Sequence, residues 1–244
     1  MTATLALLPL AATTAGCSST RAQAKRFTQQ GSKAFAARGL RVGASNRDVQ
    51  VLAHAIVSDA NGTAAVVVLR NHGSQALRDV PIALAVVDAH GKVLWRNDAP
   101  GLEAGLTHAA LLAPGETVTW VNDQVLLPGG ARAAALRAKV GAGSSAPPTA
   151  ARLAIHVQDA HIEGDPASGV TAVARAVNGS SVAQRDLVIA AVARRGGKLV
   201  AAGRAVVPSL KANGGERFQA FFVGDPRGGQ LSFDAQPSTL GGAR

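Results

Sequence analysis

The chain has 244 residues and a net charge of +10; 47% of it is apolar but only 3% aromatic, with 27 Gly and 11 Pro. That length suits one or two packed units, and the Gly/Pro frequency excludes long uninterrupted helices. A single cysteine excludes an intrachain disulfide, and the positive charge is concentrated in residues 18–47, with seven Lys/Arg and no acid. A nucleic-acid-binding fold would carry its bases on the folded part, interleaved with aromatics, so no nucleic-acid partner is expected.

Residues 1–17 open with an apolar run, Ala3 to Ala12. It is too short to cross a bilayer but suits the core of a signal segment. Thr14-Ala15-Gly16-Cys17 then resembles a bacterial lipobox. The resemblance implies a lipid-attachment residue at Cys17, acylated on sulfur, and hence a membrane partner on the extracytoplasmic face of the cell envelope. Residues 18–47 carry Arg21, Lys25, Arg26, Lys33, Arg38, Arg41 and Arg47. They read as a basic, flexible linker that rests on anionic lipid or envelope polymer.

From residue 48 to 140 the pattern turns to short alternating runs bounded by turn residues. Strands are expected near Val49–Val57, Ala64–Arg70, Val80–Asp88, Lys92–Asn97, Thr107–Leu112, Glu116–Val121 and Ala133–Val140. Residues 141–150, GAGSSAPPTA, read as a linker. In residues 151–237 strands are expected near Leu153–Ile162, Gly169–Val177, Leu187–Arg194, Lys198–Ala205, Gly215–Val223 and Gln230–Ala235, with Phe218, Phe221, Phe222 and Phe233 giving the core its bulk. Residues 238–244 form a tail.

The two segments are copies of each other. Asn71, Arg78, Asp79 and Ile82 recur 107 residues later as Asn178, Arg185, Asp186 and Ile189, and Gly115-Glu116 has its counterpart in Gly215-Glu216. A period this long is no solenoid or propeller blade; it denotes two whole domains, 48–140 and 151–237. Each should hold its Asn in a turn and its Ile in the core. The many short strands predict an all-β protein of two tandem immunoglobulin-like β-sandwich domains.

The stretch VVVLRNHGSQALRDVPIALAVVDAHGKVL also resembles the FxLYD-type extracellular domains of bacterial and archaeal lipoproteins. Leu84-Ala85-Val86-Val87-Asp88 takes the place of the family's signature, Gly91 follows, and Pro114-Gly115-Glu116 supplies the later turn. The signature aromatics are absent, and the second copy reads Ala191-Val192-Ala193-Arg194-Arg195 without the Asp. The resemblance implies a β-sandwich displayed at the cell surface.

Signals for chemistry are sparse. His54 and His161 share the 107-residue offset on the first strand of each copy, but a metal site needs three or four convergent ligands. There is no GxSxG elbow, and the paired glycines at 129–130, 196–197 and 228–229 suit hairpin turns rather than a phosphate loop. Arg78-Asp79 and Arg185-Asp186 read as solvated pairs entering a strand. Asn61-Gly-Thr63 and Asn178-Gly-Ser180 fit the glycosylation sequon but are better explained as turns. No catalytic, metal or cofactor residue is assigned. The expectation is a non-enzymatic, lipid-anchored binding or scaffolding protein with an envelope protein as partner. The alternatives are an accessory subunit of an envelope transport or secretion complex, docking by strand addition, and a surface hydrolase.

Overall fold

A computed structural model describes residues 39–145, 154–165 and 169–237; Cys17, the bases before Gly39, residues 146–150 of the Pro-containing linker and the tail lie outside them. Alternating apolar runs broken by Gly, Pro and Asn give strands and, among the described residues, no α-helix. In chain order the strands are β1 (Val49–Asp59), β2 (Gly62–Asn71), β3 (Leu77–Val87), β4 (Val93–Arg96), β5 (His108–Leu112), β6 (Thr117–Asn122), β7 (Ala135–Val140) and β8 (Ser144–Ser145). They continue as β9 (Ile155–Asp165), β10 (Gly169–Asn178), β11 (Gln184–Arg195), β12 (Lys198–Leu210), β13 (Gly215–Gly224) and β14 (Gln230–Gln236). One 3-10 turn, Ala104–Leu106, precedes β5.

All pairing is antiparallel. In the first repeat one sheet runs β1-β2-β6, and β3 pairs with β4, β5, β7 and β8. The second repeat forms a single six-stranded sheet, β14-β11-β12-β13-β10-β9, curled until its edge strands β9 and β14 approach each other. Ile82 and Ile189 are fully buried, each in the apolar cluster of its own repeat.

The repeated Asn ends β2 and β10 and opens the turn that follows. Asn71 is fully buried; its Nδ2 donates to the carbonyls of Gln75 (2.8 Å) and Leu112 (3.0 Å), and its Oδ1 accepts from the Gly73 amide (3.0 Å). Asn178 repeats the pattern with Val182 (2.8 Å), Lys211 (3.1 Å) and Ser180 (3.0 Å). The repeated Asp has a backbone role. Asp79 and Asp186 hold φ of 50° and 48° inside their strands, a left-handed conformation that Asp tolerates better than most residues. Strand register shifts one sequence equivalence. Arg70 faces Thr117 and Val177 faces Gly215, so the counterpart of Gly115 (φ 70°) is Asn213 (φ 50°) and not Gly215.

Three further expectations change. Residues 39–47 are no free linker. The Asn46 amide donates to the Val140 carbonyl at 2.9 Å, Lys139 Nζ donates to the Gly43 carbonyl, and Val42 lies against Gly141. At the other end of the first repeat, Ser144 and Ser145 of the predicted 141–150 linker pair with Arg78 and Leu77. Phe221 leaves the core. Inward positions on β13 are Phe218, Ala220 and Phe222, and the period of two turns Phe221 outward, 62% exposed.

The repeats differ most where β12 runs unbroken for 13 residues. The first repeat covers the same part of β3 with β4 and β5, separated by residues 97–107. Asn97, fully buried, patches the interruption. It donates to the Ile82 (2.8 Å) and Leu106 (3.0 Å) carbonyls and accepts from the Leu84 amide (2.7 Å), standing in for missing ladder bonds. β12 pairs with β13, whereas the corresponding β5 and β6 form no ladder. Side chains bridge that seam: Trp120 Nε1 donates to the His108 carbonyl (3.2 Å) and Asn122 Nδ2 to that of Leu106 (3.0 Å).

Candidate binding surfaces

The strands that join the repeats are buried on both faces. Ala65, Val67 and Leu69 of β2 point into the first core while Ala64 and Val66 point away from it. In the second repeat Ile189, Ala191 and Ala193 point inward and Ala190 and Val192 outward. The outward residues, with Val121, Ala202 and Val223, form a third apolar cluster between the repeats.

Arg204 of β12 lies beside this cluster with its side chain only 5% exposed. Its Nη2 donates to Glu103 Oε2 at 2.8 Å, and its Nε stands 3.6 Å from Asp123 Oδ1, too far for a hydrogen bond. Both carboxylates come from loops of the first repeat. Burial pushes the Asp123 carboxyl up from its ordinary value, against the attraction of Arg204. A Cβ on Gly105 would stand 2.8 Å from Arg204 Nη1 and 3.0 Å from Val188, so the close approach of this loop needs glycine. β14 completes the junction. Asp234 Oδ2 accepts from the Thr119 amide (2.8 Å), and Gln236 Oε1 accepts from the Ala110 amide (3.2 Å). Thr119 lies on β6 and Ala110 on β5, so the second repeat caps both sides of the open seam in the first. With Arg204 set between them, Glu103 and Asp123 act as a latch.

The outward face of β3 has a different character. Ala83 and Ala85 floor a depression of about 350 Å³ lined also by Arg96, Arg137, Lys139, Asp98 and, from the N-terminal strap, Leu40 and Val42. Ala85 faces Arg96 on β4 and Arg137 on β7, and Ala83 faces Lys139. Arg96, Arg137 and Lys139 are all exposed. Neither guanidinium has an ion-pair partner among the described residues.

The second repeat carries a shallow depression of about 580 Å³ on β9, β10 and β13, lined by Asp159, His161, Glu163, Arg175 and Arg217. His161 Nε2 meets Glu163 Oε1 at 2.9 Å and its Nδ1 meets the Asp159 carbonyl at 3.1 Å. The Asp159 carbonyl first, and then Glu163, raise its pKa. Charges of both signs stand side by side here, so the depression selects no ligand charge.

The residues singled out from sequence are scattered. Each first strand carries a bulge, near Leu52 and near Asp159. Beyond it His54 faces Val67 and His161 faces Val173. Val173 matches Val66, the partner of Ala55, so His54 and His161 are not equivalent and point to opposite faces. His72 meets the Arg47 carbonyl at 2.9 Å, His90 sits in the β3–β4 turn, and His108 is half-buried, its pKa lowered by burial despite Asp79. Among the described residues no three of His, Cys, Asp and Glu are grouped to hold a metal. Asn61 lies in the β1–β2 turn, and Asn178 is buried as described. Arg78 is partly buried with Nε unpartnered, while Arg185 is exposed. β9 is an edge strand of 11 residues, but its bulge, Gly164 and outward His161 and Glu163 are features that blunt strand addition.

Glu103, Asp123, Arg204, Asp234 and Gln236 were not singled out from sequence, nor were Arg96, Arg137 and Lys139. Each is an isolated polar residue in its own segment, and convergence requires the register. The one available signal was the light, Ala-rich face of β3 and β11. No protein-family model and no curated protein matches this chain.

Proposed function

We propose that this chain is a non-enzymatic, lipid-anchored protein of the cell envelope, attached through Cys17 and presenting two immunoglobulin-like sandwiches of the FxLYD type as one rigid binding or scaffolding body. The reading is supported above all by how the buried Arg204 is used: with Asp123 beside it and the exposed Glu103 at its tip, it joins the two repeats. An enzyme's perturbed carboxylate would face a cleft; here an arginine occupies the space between the two. Thr14 to Cys17 supplies the anchor, and residues 18–47 supply positive charge next to it for anionic lipid or envelope polymer.

Detergent phase partitioning tests the anchor. The intact protein enters the detergent phase and Cys17→Ser remains in the aqueous phase; equal partitioning of the two would remove the anchor from the proposal. A pull-down from solubilised envelope, with the full chain as bait, tests the binding role and identifies the envelope partner.

A further inference from the structure

The duplication permits a comparison within one molecule. The outward face of β11, Ala190 and Val192, is a docking surface, since the first repeat covers it. At the 107-residue offset its counterpart on β3 is Ala83 and Ala85, which the first repeat's own trough leaves open. Three of their neighbours have turned basic in the first repeat. Val192 faces Ala202 and Ser232, and Ala190 faces Asp234 and Arg204. In the first repeat the positions corresponding to Ala202, Ser232 and Asp234 are Arg96, Arg137 and Lys139. Three positions that are neutral or acidic in one copy are basic in the other, around the same small-residue floor, while Asp98 stands in the first repeat where the second has Arg204.

We infer that the Arg96–Arg137–Lys139 trough is a docking site for the phosphodiester headgroups of the anionic membrane surface to which Cys17 tethers the chain. The inference rests on the anchored reading above and gives it a structured contact. Arg96 and Arg137 flank Ala85 on both sides, so their Cα atoms stand about 10 Å apart, two strand spacings. Their guanidinium groups present planar, forked donors suited to phosphate oxygens. A second copy of the chain is a poor occupant, because the apolar face that would cover this trough, on β2 and β6, already covers β11 within the same molecule. The strap reinforces the assignment. Leu40 and Val42 line the trough, and Gly39 sits so close to Asp98 that a Cβ would reach its carbonyl oxygen. Gly39, where the described chain begins, therefore stands at this trough.

The experiment uses the full chain carrying Cys17→Ser, so that acylation plays no part and its failure is distinct from failure of the anchor. Binding to phosphatidylglycerol and phosphatidylcholine vesicles is measured by co-sedimentation across a salt series. Three variants are compared: unaltered trough; Arg96→Gln/Arg137→Gln/Lys139→Gln; and a control with equal charge loss elsewhere, Arg70→Gln/Arg132→Gln/Lys198→Gln. Each base held at an anionic surface strengthens binding roughly fivefold, so the trough variant should lose on the order of tenfold or more for phosphatidylglycerol, in a salt-dependent way. The control should lose about twofold or less, and phosphatidylcholine should bind none of them. Equal losses in trough and control variants would reduce the effect to net charge and overturn the inference. Undiminished binding by the trough variant would overturn it as well. A parallel arm with poly-glutamate separates lipid from acidic polypeptide: the same trough-dependent loss there would reassign the site to an acidic protein partner.

Discussion

Replacing Asn71 is the sharpest test of how the fold is held. The side chain is fully buried and makes three hydrogen bonds, two to carbonyls and one from an amide. Asn71→Ala removes all three, at about 1 kcal/mol each net, and leaves the buried Leu112 carbonyl short of a donor, so a loss of about 3–4 kcal/mol follows. For a chain of this size each kcal/mol lowers Tm by roughly 2–4 °C, giving a fall of about 6–16 °C. Asn71→Asp discriminates further because it keeps the shape and the acceptor. It turns the donor into an oxygen facing two carbonyls, so its folded pKa must lie above the unfolded value of about 3.9. Stability is then greatest below about pH 4 and falls as pH rises through the folded pKa, the loss reaching about 3–5 kcal/mol at neutral pH. The assay is equilibrium urea unfolding followed by circular dichroism at several pH values, with Asn178→Ala as an internal replicate of the alanine variant. A loss below about 1 kcal/mol for Asn71→Ala, or a pH-independent Asn71→Asp, would refute the account.

Ile82→Ala and Ile189→Ala, in equivalent core positions, should each cost about 2–5 kcal/mol by the same measurement; a near-neutral result at either would mean that the site collapses freely. Asp123→Asn tests the latch. The raised carboxyl binds its proton more tightly in the folded state, so wild-type stability falls as pH rises from about 4 through that pKa. The Asn variant should lose this slope, read from urea midpoints across pH; a slope that survives the substitution would assign it to another group. Gly105→Ala should loosen the junction through its clash with Val188 and Arg204, seen as faster amide hydrogen exchange along β6 and β12; unchanged exchange would show that the loop shifts without cost. Asp79→Gly should raise stability by a few tenths to about 1 kcal/mol by relieving a left-handed residue, whereas Asp79→Ala should lower it.

Local rules made most of the strand plan legible. The period of two, the Asn-led turns and the 107-residue echo located the strands, put Ile82 and Ile189 in the cores and marked Asn71 and Asn178 as special. These signals are local because strand alternation and turn formation are decided by neighbouring residues. The Arg-Asp pairs were visible without their meaning, since left-handed backbone leaves no composition signal beyond the tolerance of Asp for it. The small residues Ala83 and Ala85 alternate with the heavier face of β3 and were visible too. Whether such a face is covered or open depends on residues 97–107, which interrupt β4 and β5 and carry Glu103 and Gly105 to Arg204. It depends equally on register, which sets Arg96, Arg137 and Lys139 around one floor and Asp234 and Gln236 across a seam in the other repeat. Local pattern alone was enough for an all-β chain made of two related halves. That the halves share a buried face and that one open face collects three cations follows from contacts between residues too far apart in the chain for any local pattern to record.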